Sequence, residues 1–399
     1  MTAVDLTQDF DRLTRRIDTE RFGPFVFTVG IDAAAIELAL QRVEDAHERF
    51  IASPLSRIAS QLQREVVVSS VFGTNTIEGG LLSEDETANT LALDPGQIKE
   101  IEQRRIVNIK AAYDLSQQAA ATVGWTLTPA FIFELHRLIS QDIPHPDNRP
   151  GQIRDNPKSR ITYVGDAAHG GRYKPPQFGK DIQQLLEALT DWHAALVQAG
   201  ISALIRAPLV HLYYEQIHPF WDGNGRVGRV IEATLLQAAG YRYAPFALSR
   251  YYLAHIDEYF TLFNTCRKQA DKAKPAPNRP FIEFHLEGMR QTINALHDRV
   301  NRLVTLLLFE SHIRHALEEK TINDRQYTIV SQLLSKGGPL PLREVRRAPW
   351  YLSLYLQRND KTKQRDLKRL RELELVFLDT DDRLWPGFIH PGDIKLLTK

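Results

Sequence analysis

The chain has few of the residues that would cross-link it or anchor it in a membrane. Cys266 is its one cysteine, so there is no second thiol for an internal disulfide or a zinc cluster, and a reducing, cytoplasmic setting is expected. No apolar run approaches the roughly 18 residues needed to span a bilayer. The first residues also lack the apolar core of a secretory signal. We therefore expect no membrane partner.

An excess of charge of either sign is also missing. The formal net charge is +1, with 43% hydrophobic and 25% charged residues. This balance is ordinary for a globular protein and argues against a globally basic nucleic-acid binder. The length of 399 residues exceeds one usual core and predicts two or three folding units.

Apolar residues recur at helical spacing over most of the chain, which predicts a mainly α-helical fold. The predicted helices cover residues 31–52, 55–72, 97–121, 129–141, 180–198, 203–217, 225–239, 256–272 and 281–319. Ser83 and Glu86 form a capping box that predicts one more helix, and Thr128 before a proline predicts an N-cap. Residues 142–157 are too rich in proline, glycine and asparagine to be regular, and residues 160–176 look like a short hairpin.

The pattern changes after residue 320, where the order is helix, helix, helix and hairpin. This order suits a winged helix-turn-helix that could contact DNA or a protein. The third helix carries cations that could meet a phosphate backbone, namely Lys361, Lys363, Arg365, Lys368, Arg369 and Arg371. Asp366, Glu372 and Glu374 offset them, so a solvated helix face explains the pattern equally well.

Twelve consecutive residues, HPFWDGNGRVGR at 218–229, suit phosphate chemistry. The preceding helix is expected to end at the proline, and the next helix to begin after the glycines. Gly223, Asn224 and Gly225 would then lie at a helix N-terminus, where unpaired N–H groups and the helix dipole favour an anion. Asp222 beside them is the kind of ligand that Mg²⁺ prefers.

Cations and a base complete the same segment. Arg226 and Arg229 are three residues apart, so they share a helix face, and both suit a polyphosphate. His218 accepts a proton near neutral pH, a role typically worth ~10²–10⁴ in rate. Each residue alone has an ordinary structural explanation, but their coincidence in one short segment indicates a site that handles phosphate.

This segment resembles the signature of the Fic family: HPF, one variable residue, an acid, GNGR and a second arginine three residues later. The preceding HLYYEQI is also Fic-like, and the resemblance covers roughly residues 60–275. It implies an all-α core and the transfer of AMP from ATP to a Tyr, Thr or Ser hydroxyl of a target protein.

The resemblance also implies a role for each residue of the segment. His218 would deprotonate the incoming hydroxyl, and Asp222 would hold Mg²⁺ on the α- and β-phosphates. Asn224 and the amides of Gly223 and Gly225 would hold the phosphates, with Arg226 and Arg229 at the β/γ end.

A second segment, TNTIEGG at 74–80, resembles the inhibitory pattern of many Fic proteins through Thr74, Glu78 and Gly79. In such proteins the glutamate pairs with the second arginine, here Arg229, and fills the space that the γ-phosphate needs. Autoinhibition by Glu78 is therefore expected, and in some relatives such a carboxylate also activates water to remove AMP.

Two further features are expected from the resemblance. The predicted hairpin resembles the family's flap, in which Arg160, Ile161, Thr162, Tyr163 and Val164 would register a target segment by strand addition, although an ordinary surface hairpin would look the same. Tyr259 is the candidate for the wall of the adenine pocket, with core packing as the alternative. 

The resulting division of the chain has four segments. Residues 1–95 would contain the inhibitory helix at about 60–80, residues 96–275 the catalytic core, residues 276–320 a helical connector and residues 321–399 the winged helix. Some relatives dimerise, so a homodimer is also considered.

Other functions remain open at this stage. The same scaffold could transfer UMP, phosphocholine or phosphate, although phosphorylating relatives typically carry lysine where this chain has Gly225. A DNA-binding regulator whose Fic core senses nucleotide is an alternative of a different class, and an inert interaction scaffold is a third.

Overall fold

The structure, a computed structural model, describes residues 10–52, 59–336 and 338–388. The chain divides into two compact units, Met1–His297 and Asp298–Lys399. The boundary falls inside one long helix, α11 (Arg279–Glu318), and the predicted division into four segments remains a prediction. Among the described residues, no helix combines the length and apolar character needed to cross a bilayer.

The first unit is almost entirely helical, as predicted. Within its described residues, β1 (Arg15–Asp18) pairs with β2 (Pro24–Phe27) in antiparallel register, with Arg15 opposite Phe27. Besides the first part of α11, its helices are α1 (Ala33–Ala52), α2 (Ala59–Ile77), α3 (Glu84–Leu91), α4 (Ile101–Ala121), α5 (Pro129–Ser140), α6 (Gly179–Gln198), α7 (Ala203–Ile217), α8 (Asn224–Ala238), α9 (Ala244–Ala254) and α10 (Ile256–Asp271).

The predicted helix starts are present where side chains satisfy the first N–H groups. Ser83 and Glu86 form the capping box of α3, with Ser83 Oγ accepting from the Glu86 N–H at 3.3 Å. Thr128 caps α5 by accepting from the Phe131 N–H at 3.2 Å. These local bonds explain why helix boundaries could be read from short sequence patterns.

The sequence did not predict α9, and its packing explains the omission. This helix packs against α2, α8 and α10, so apolar residues lie on several of its sides. Phe246, Leu248 and Tyr252 are all buried. A helix enclosed in this way has no single apolar stripe for periodicity to detect.

Residues 160–176 do not form the regular hairpin that the sequence suggests. Only Val164 and Tyr173 pair, as one antiparallel bridge. Hydrogen bonds that involve side chains occur where a regular hairpin would have backbone pairs. The Thr162 N–H donates to Gln177 Oε1 at 2.7 Å, and Asn156 Nδ2 donates to Thr162 Oγ1 at 2.8 Å. The flap is therefore an irregular loop with one strand-like pair.

The second unit contains the rest of α11 and a small antiparallel sheet. Its other elements are α12 (Asp324–Ser335), β3 (Leu340–Pro341), α13 (Leu342–Arg347), α14 (Pro349–Leu354), α15 (Asp360–Glu372), β4 (Val376–Leu378) and β5 (Arg383–Pro386). The strand order is β3, β5, β4. The predicted order of helices and hairpin is present, with α14 and β3 added. The winged helix-turn-helix remains a prediction.

Asp366 in α15 has a structural role that the sequence did not indicate. Its side chain is 8% exposed and accepts from Arg325 Nε at 2.9 Å and from the Tyr355 hydroxyl at 2.9 Å. It therefore ties α15 to the core of the second unit and is not available to offset the exposed cations of that helix.

Candidate active site

A cavity of about 310 Å³ lies where α7 ends and α8 begins. Its wall includes Glu78, Glu215, His218, Gly225, Arg229 and Tyr259, together with residues 164–166 of the flap. The volume is at the lower end of the roughly 300–1,000 Å³ typical of ligand pockets. Residues from distant parts of the chain thus line one partly open cavity.

His218 terminates α7 in an uncommon backbone conformation. It has φ 49° and ψ 63°, in the left-handed region, and its N–H still donates to the Tyr214 carbonyl at 2.9 Å. A non-glycine residue rarely adopts this conformation unless its surroundings hold it there. The turn leaves the imidazole 22% exposed, at the wall of the cavity.

Arg154 is one of the groups that hold this turn. Its side chain is completely buried, and its Nε donates to the His218 carbonyl at 2.7 Å. Its backbone N–H donates to the Pro219 carbonyl at 2.9 Å. Burial lowers the pKa of Arg154 to about 10, so the guanidinium stays charged at neutral pH. Sequence reasoning missed this residue because it lies in a segment notable only for its irregular composition.

His136 in α5 holds the other side of the loop. Its ring stacks on Phe220 at a centroid distance of 3.7 Å, and its Nδ1 accepts from the Gly151 N–H at 3.0 Å. Burial lowers the pKa of His136 to about 4, so at neutral pH the ring is neutral and Nε2–H donates to the Asp222 carbonyl at 3.2 Å. His136 is a polar residue on the apolar face of α5, and this is the sequence feature that could have identified it.

The first turn of α8 borders the cavity through Gly225. Gly223 precedes the helix with φ 82°, and Val227 N–H, bonded to the Gly223 carbonyl at 3.0 Å, is the first N–H of the helix to find an intrahelical acceptor. The Asn224 side chain is used differently from the expectation. Its Oδ1 accepts from the Phe220 N–H at 2.9 Å and its Nδ2 donates to the Phe220 carbonyl at 2.8 Å. Any contact of Asn224 with a phosphate would therefore come from its backbone N–H.

The two arginines of α8 have different partners. Arg226 is nearly buried and pairs with Asp222 at 3.0 Å. Burial raises the pKa of Asp222, but the attraction of Arg226, a hydrogen bond from the Gly223 N–H and other nearby positive charges together outweigh burial, so the pKa of Asp222 is lowered and the carboxylate stays ionised. Arg229, by contrast, lines the cavity. Arg226 and Arg229 therefore lie in different surroundings, although the sequence predicted that they share one helix face.

Glu78 reaches Arg229, as the sequence predicted. Its Oε1 is 2.7 Å from Arg229 Nη2, and Arg229 also donates to the Thr74 carbonyl and the Tyr259 hydroxyl, both at 3.2 Å. Gly79, with φ 79°, lets the chain turn directly after α2. Thr74 is fixed by a 3.0 Å hydrogen bond between its hydroxyl and that of Tyr113. The end of α2 thus holds a carboxylate against the cation of the cavity.

A buried polar chain supports Arg229 from behind. The Tyr259 hydroxyl lies 3.1 Å from His211 Nε2, and His211 Nδ1 lies 2.9 Å from Glu232 Oε2. Glu232 also binds His285 Nδ1 at 2.9 Å and the Tyr252 hydroxyl at 3.0 Å. All of these side chains are buried. Sequence reasoning missed this hydrogen-bonded network, although His211 and Glu232 are polar residues within mainly apolar helices.

The predicted flap residues are partly exposed and partly engaged. Ile161 is 48% exposed and Tyr163 is 55% exposed, so both are available to a partner. Arg160 is engaged with Asp147 and lies over the Trp221 ring at 4.3 Å. The tip is joined to α10, where His169 Nε2 is 3.2 Å from Asp257.

Comparison with known proteins agrees with this geometry. Residues 126–236 match the Fic/DOC family. The chain is similar to the protein adenylyltransferase Fic of Nematostella vectensis, with 24% identity over 64% of this chain and 55% of that protein. It is also similar to the protein of the same name from Drosophila willistoni, with 28% identity over 45% of this chain and 34% of that protein. The chain thus spans about half the length or less of these curated relatives.

Solved structures show a related fold. A Fic domain containing signaling protein from Bacteroides thetaiotaomicron has a TM-score of 0.54 at 20% identity, over 65% of this chain and 97% of that one. A Fic family protein from Desulfovibrio desulfuricans has a TM-score of 0.54 at 17% identity, over 88% of this chain and 95% of that one. Helix α7, the loop at residues 218–223 and α8 up to residue 236 lie inside the residues that match the Fic/DOC family.

Proposed function

We propose that this chain is a protein adenylyltransferase, which transfers AMP from ATP to a tyrosine, threonine or serine hydroxyl of a target protein. The observation that carries the proposal is the meeting of His218, the first turn of α8 and Arg229 at one cavity. A base, a set of backbone N–H groups and a cation are the parts that nucleotidyl transfer requires. The names of the similar proteins support the same activity.

In the proposed reaction, His218 takes the proton of the target hydroxyl as the hydroxyl oxygen forms its bond to the α-phosphorus of ATP. The bond between that phosphorus and the β-phosphate oxygen breaks, and pyrophosphate leaves with the electron pair. N–H groups at the start of α8 stabilise the charge on the phosphate oxygens, because they are already oriented before the reaction begins. Tyr259 is proposed to contribute to the nucleotide wall.

Asp222 is the residue proposed to hold Mg²⁺. Its carboxylate is ionised and 34% exposed, and Mg²⁺ commonly uses one or two carboxylates with phosphate oxygens and water. No group of three or more metal-binding side chains occurs in the described part of the chain. Bound there, Mg²⁺ would neutralise phosphate charge. Arg226 would then exchange part of its ion pair for the phosphates.

Glu78 is proposed to inhibit the resting enzyme. The carboxylate already binds Arg229, the cation suited to the outer phosphates of ATP. ATP would then bind with its terminal phosphate displaced, and the α-phosphorus would be misaligned for attack. Removal of AMP by water, with this carboxylate as the activating group, is a further proposed activity to assay.

Intact-mass measurement after incubation with ATP and Mg²⁺ tests the proposal. Wild type, Glu78→Gly and the double variant Glu78→Gly with His218→Ala are compared, followed by peptide mapping and by ATP binding to each protein. We expect an AMP adduct on Glu78→Gly, a weak one on wild type and none on the double variant. Binding of ATP without any adduct on added candidate targets or on the chain itself would contradict adenylyl transfer.

The donor is tested with the same variants. UTP, CDP-choline and γ-labelled ATP are offered separately to Glu78→Gly, so that UMP, phosphocholine and phosphate transfer each give a distinct mass. Gly225 favours a nucleotide over simple phosphate transfer in this comparison, as phosphorylating relatives typically carry lysine at that position. An adduct from one of these donors and none from ATP would replace adenylylation with the corresponding reaction.

The second unit is proposed to act as a separate binding module. Because Asp366 is buried, the exposed cations of α15 are less offset than the sequence suggested, which favours contact with an acidic surface such as DNA. A salt-dependent gel-shift assay tests this, and binding that is unaffected when Lys368 and Arg369 become glutamine would contradict it. The cytoplasmic setting expected from the lone Cys266 is part of the same proposal.

A further inference from the structure

A largely buried carboxylate lies next to the ring of His218. Glu215 precedes it by three residues in α7, and Glu215 Oε2 is 3.7 Å from His218 Nδ1. The Glu215 side chain is only 11% exposed. Among the described residues, neither Glu215 Oε1 nor His218 Nδ1 has a hydrogen-bond partner. The Glu215 carboxylate, whose Oε1 is buried, thus lies beside the buried Nδ1 of His218.

The position of Glu215 requires an explanation, because burying an unpaired carboxylate is costly. The neighbouring Tyr173 does not neutralise it: burial raises the pKa of Tyr173, the charge of Glu215 raises it further, and the hydroxyl donates to the Glu215 backbone carbonyl at 3.0 Å. Space for the carboxylate comes from Gly228 in α8, where a Cβ atom would lie 2.6 Å from Glu215 Oε1. The packing therefore accommodates this charge without supplying it with a donor.

The other charged groups around the cavity already have partners. Glu78 binds Arg229, and Asp166 binds His169 at 2.9 Å. Arg154, behind the turn, donates to backbone carbonyls. Of the acidic residues that line the cavity in the described part of the chain, Glu215 is the one left facing His218.

We propose that Glu215 is a positioning residue for the base. Its carboxylate accepts a hydrogen bond from His218 Nδ1–H, so that Nε2 stays unprotonated and faces the cavity. The partner of one ring nitrogen fixes which nitrogen carries the proton. The present 3.7 Å separation is longer than a hydrogen bond, and such contacts often tighten only when substrate binds. The inference rests on the proposed function, because the role of His218 as base is part of it.

Nitrogen NMR of histidine-labelled protein tests the inference independently of activity. The full chain carrying Glu78→Gly is compared with the same chain carrying Glu215→Ala, Glu215→Gln or Glu187→Gln. Glu187 is an exposed carboxylate in α6 and controls for the loss of one negative charge. His218→Ala assigns the His218 signals, and thermal melting verifies that each variant is folded.

We expect the Nδ1–H tautomer of His218 in the parent and in Glu187→Gln, and a mixture or the Nε2–H tautomer in Glu215→Ala. Glu215→Gln keeps an acceptor oxygen and should retain the parent tautomer in part, which also covers the case of Glu215→Ala failing to fold. In AMP transfer, kcat should fall roughly 10–100-fold in Glu215→Ala, with KM for ATP changed less than about twofold.

Two results would overturn the inference. One is an unchanged His218 tautomer in Glu215→Ala, and the other is an equal loss of kcat in the Glu187→Gln control. Absence of AMP transfer in every protein would refute the proposed function, while the NMR comparison would still decide the role of Glu215.

Discussion

Replacing Glu232 by glutamine should destabilise the first unit strongly. Glu232 is 2% exposed at its side chain and binds His211 Nδ1, His285 Nδ1 and the Tyr252 hydroxyl. Burial raises its pKa, but the attraction of His211 and His285 outweighs this, so the pKa of Glu232 is lowered to about 2. Glutamine has the same shape but no charge, and its NH₂ group would face hydrogen-bond donors.

The expected loss follows from these bonds. Each hydrogen bond to a charged group contributes about 1.5–3 kcal/mol, and breaking a buried charge pair costs about 3–5 kcal/mol. Since glutamine keeps one acceptor oxygen, we expect a loss of about 3–5 kcal/mol in the free energy of unfolding. At about 2–4 °C per kcal/mol for a domain of this size, the melting temperature should fall roughly 6–20 °C.

The loss should also depend on pH in a defined direction. Because the pKa of Glu232 is lower in the folded chain than in the unfolded one, its stabilising contribution is full above the unfolded value of about 4.3 and is lost as the pH falls further. The difference in the free energy of unfolding between wild type and Glu232→Gln should therefore be constant from pH 7 to about 5. Below about pH 5 this difference should become smaller.

Thermal melts followed by circular dichroism at several pH values measure both effects, with Glu187→Gln as the control for an exposed carboxylate. A Glu232→Gln protein that melts within about 1 °C of wild type would refute the reasoning. If the difference in stability between wild type and Glu232→Gln increases as the pH falls, the pKa of Glu232 is not lowered in the folded chain and the reasoning is refuted.

Three other predictions concern the loop, the inhibitory contact and the lone thiol. Asn224→Ala should cost about 2–4 kcal/mol, because the Phe220 N–H and carbonyl lose their partners; urea unfolding against wild type measures this, and a loss under 1 kcal/mol would contradict it. Gly225→Ala places a Cβ 2.2 Å from Glu78 Oε1, so it should lower stability in wild type and much less in the Glu78→Gly background; additive effects in that double-mutant cycle would disprove the contact. Burial raises the pKa of Cys266 to about 12, so the native thiol should not react with a disulfide reagent at pH 8 until the chain unfolds. Rapid labelling of the folded protein would contradict the burial of this thiol.

Much of the site was predictable because its chemistry is local in sequence. His218, Asp222 and the glycines around Asn224 lie within one turn between two helices, and the proline and glycine positions define that turn. Glu215 could have been found in the same way, because residues three apart share a helix face. Most helices were predicted from apolar spacing or a capping side chain, although α2 extends to Ile77 rather than residue 72 and α4 begins at Ile101 rather than residue 97. Helix α9 was missed because it is buried on several sides.

The sequence by itself determined the mainly helical fold, the turn at His218 and the groups suited to phosphate, because helical periodicity and turn chemistry act between near neighbours. Only the tertiary structure decided which residues meet across the chain. Arg154 and His218 are 64 positions apart, and Glu78 and Arg229 are 151 positions apart. The contact of Glu78 with Arg229 was expected from the sequence. The pairing of Arg226 with Asp222 and the buried hydrogen bonds from Tyr259 to Glu232 were not, because they depend on burial and helix packing, which no local pattern encodes.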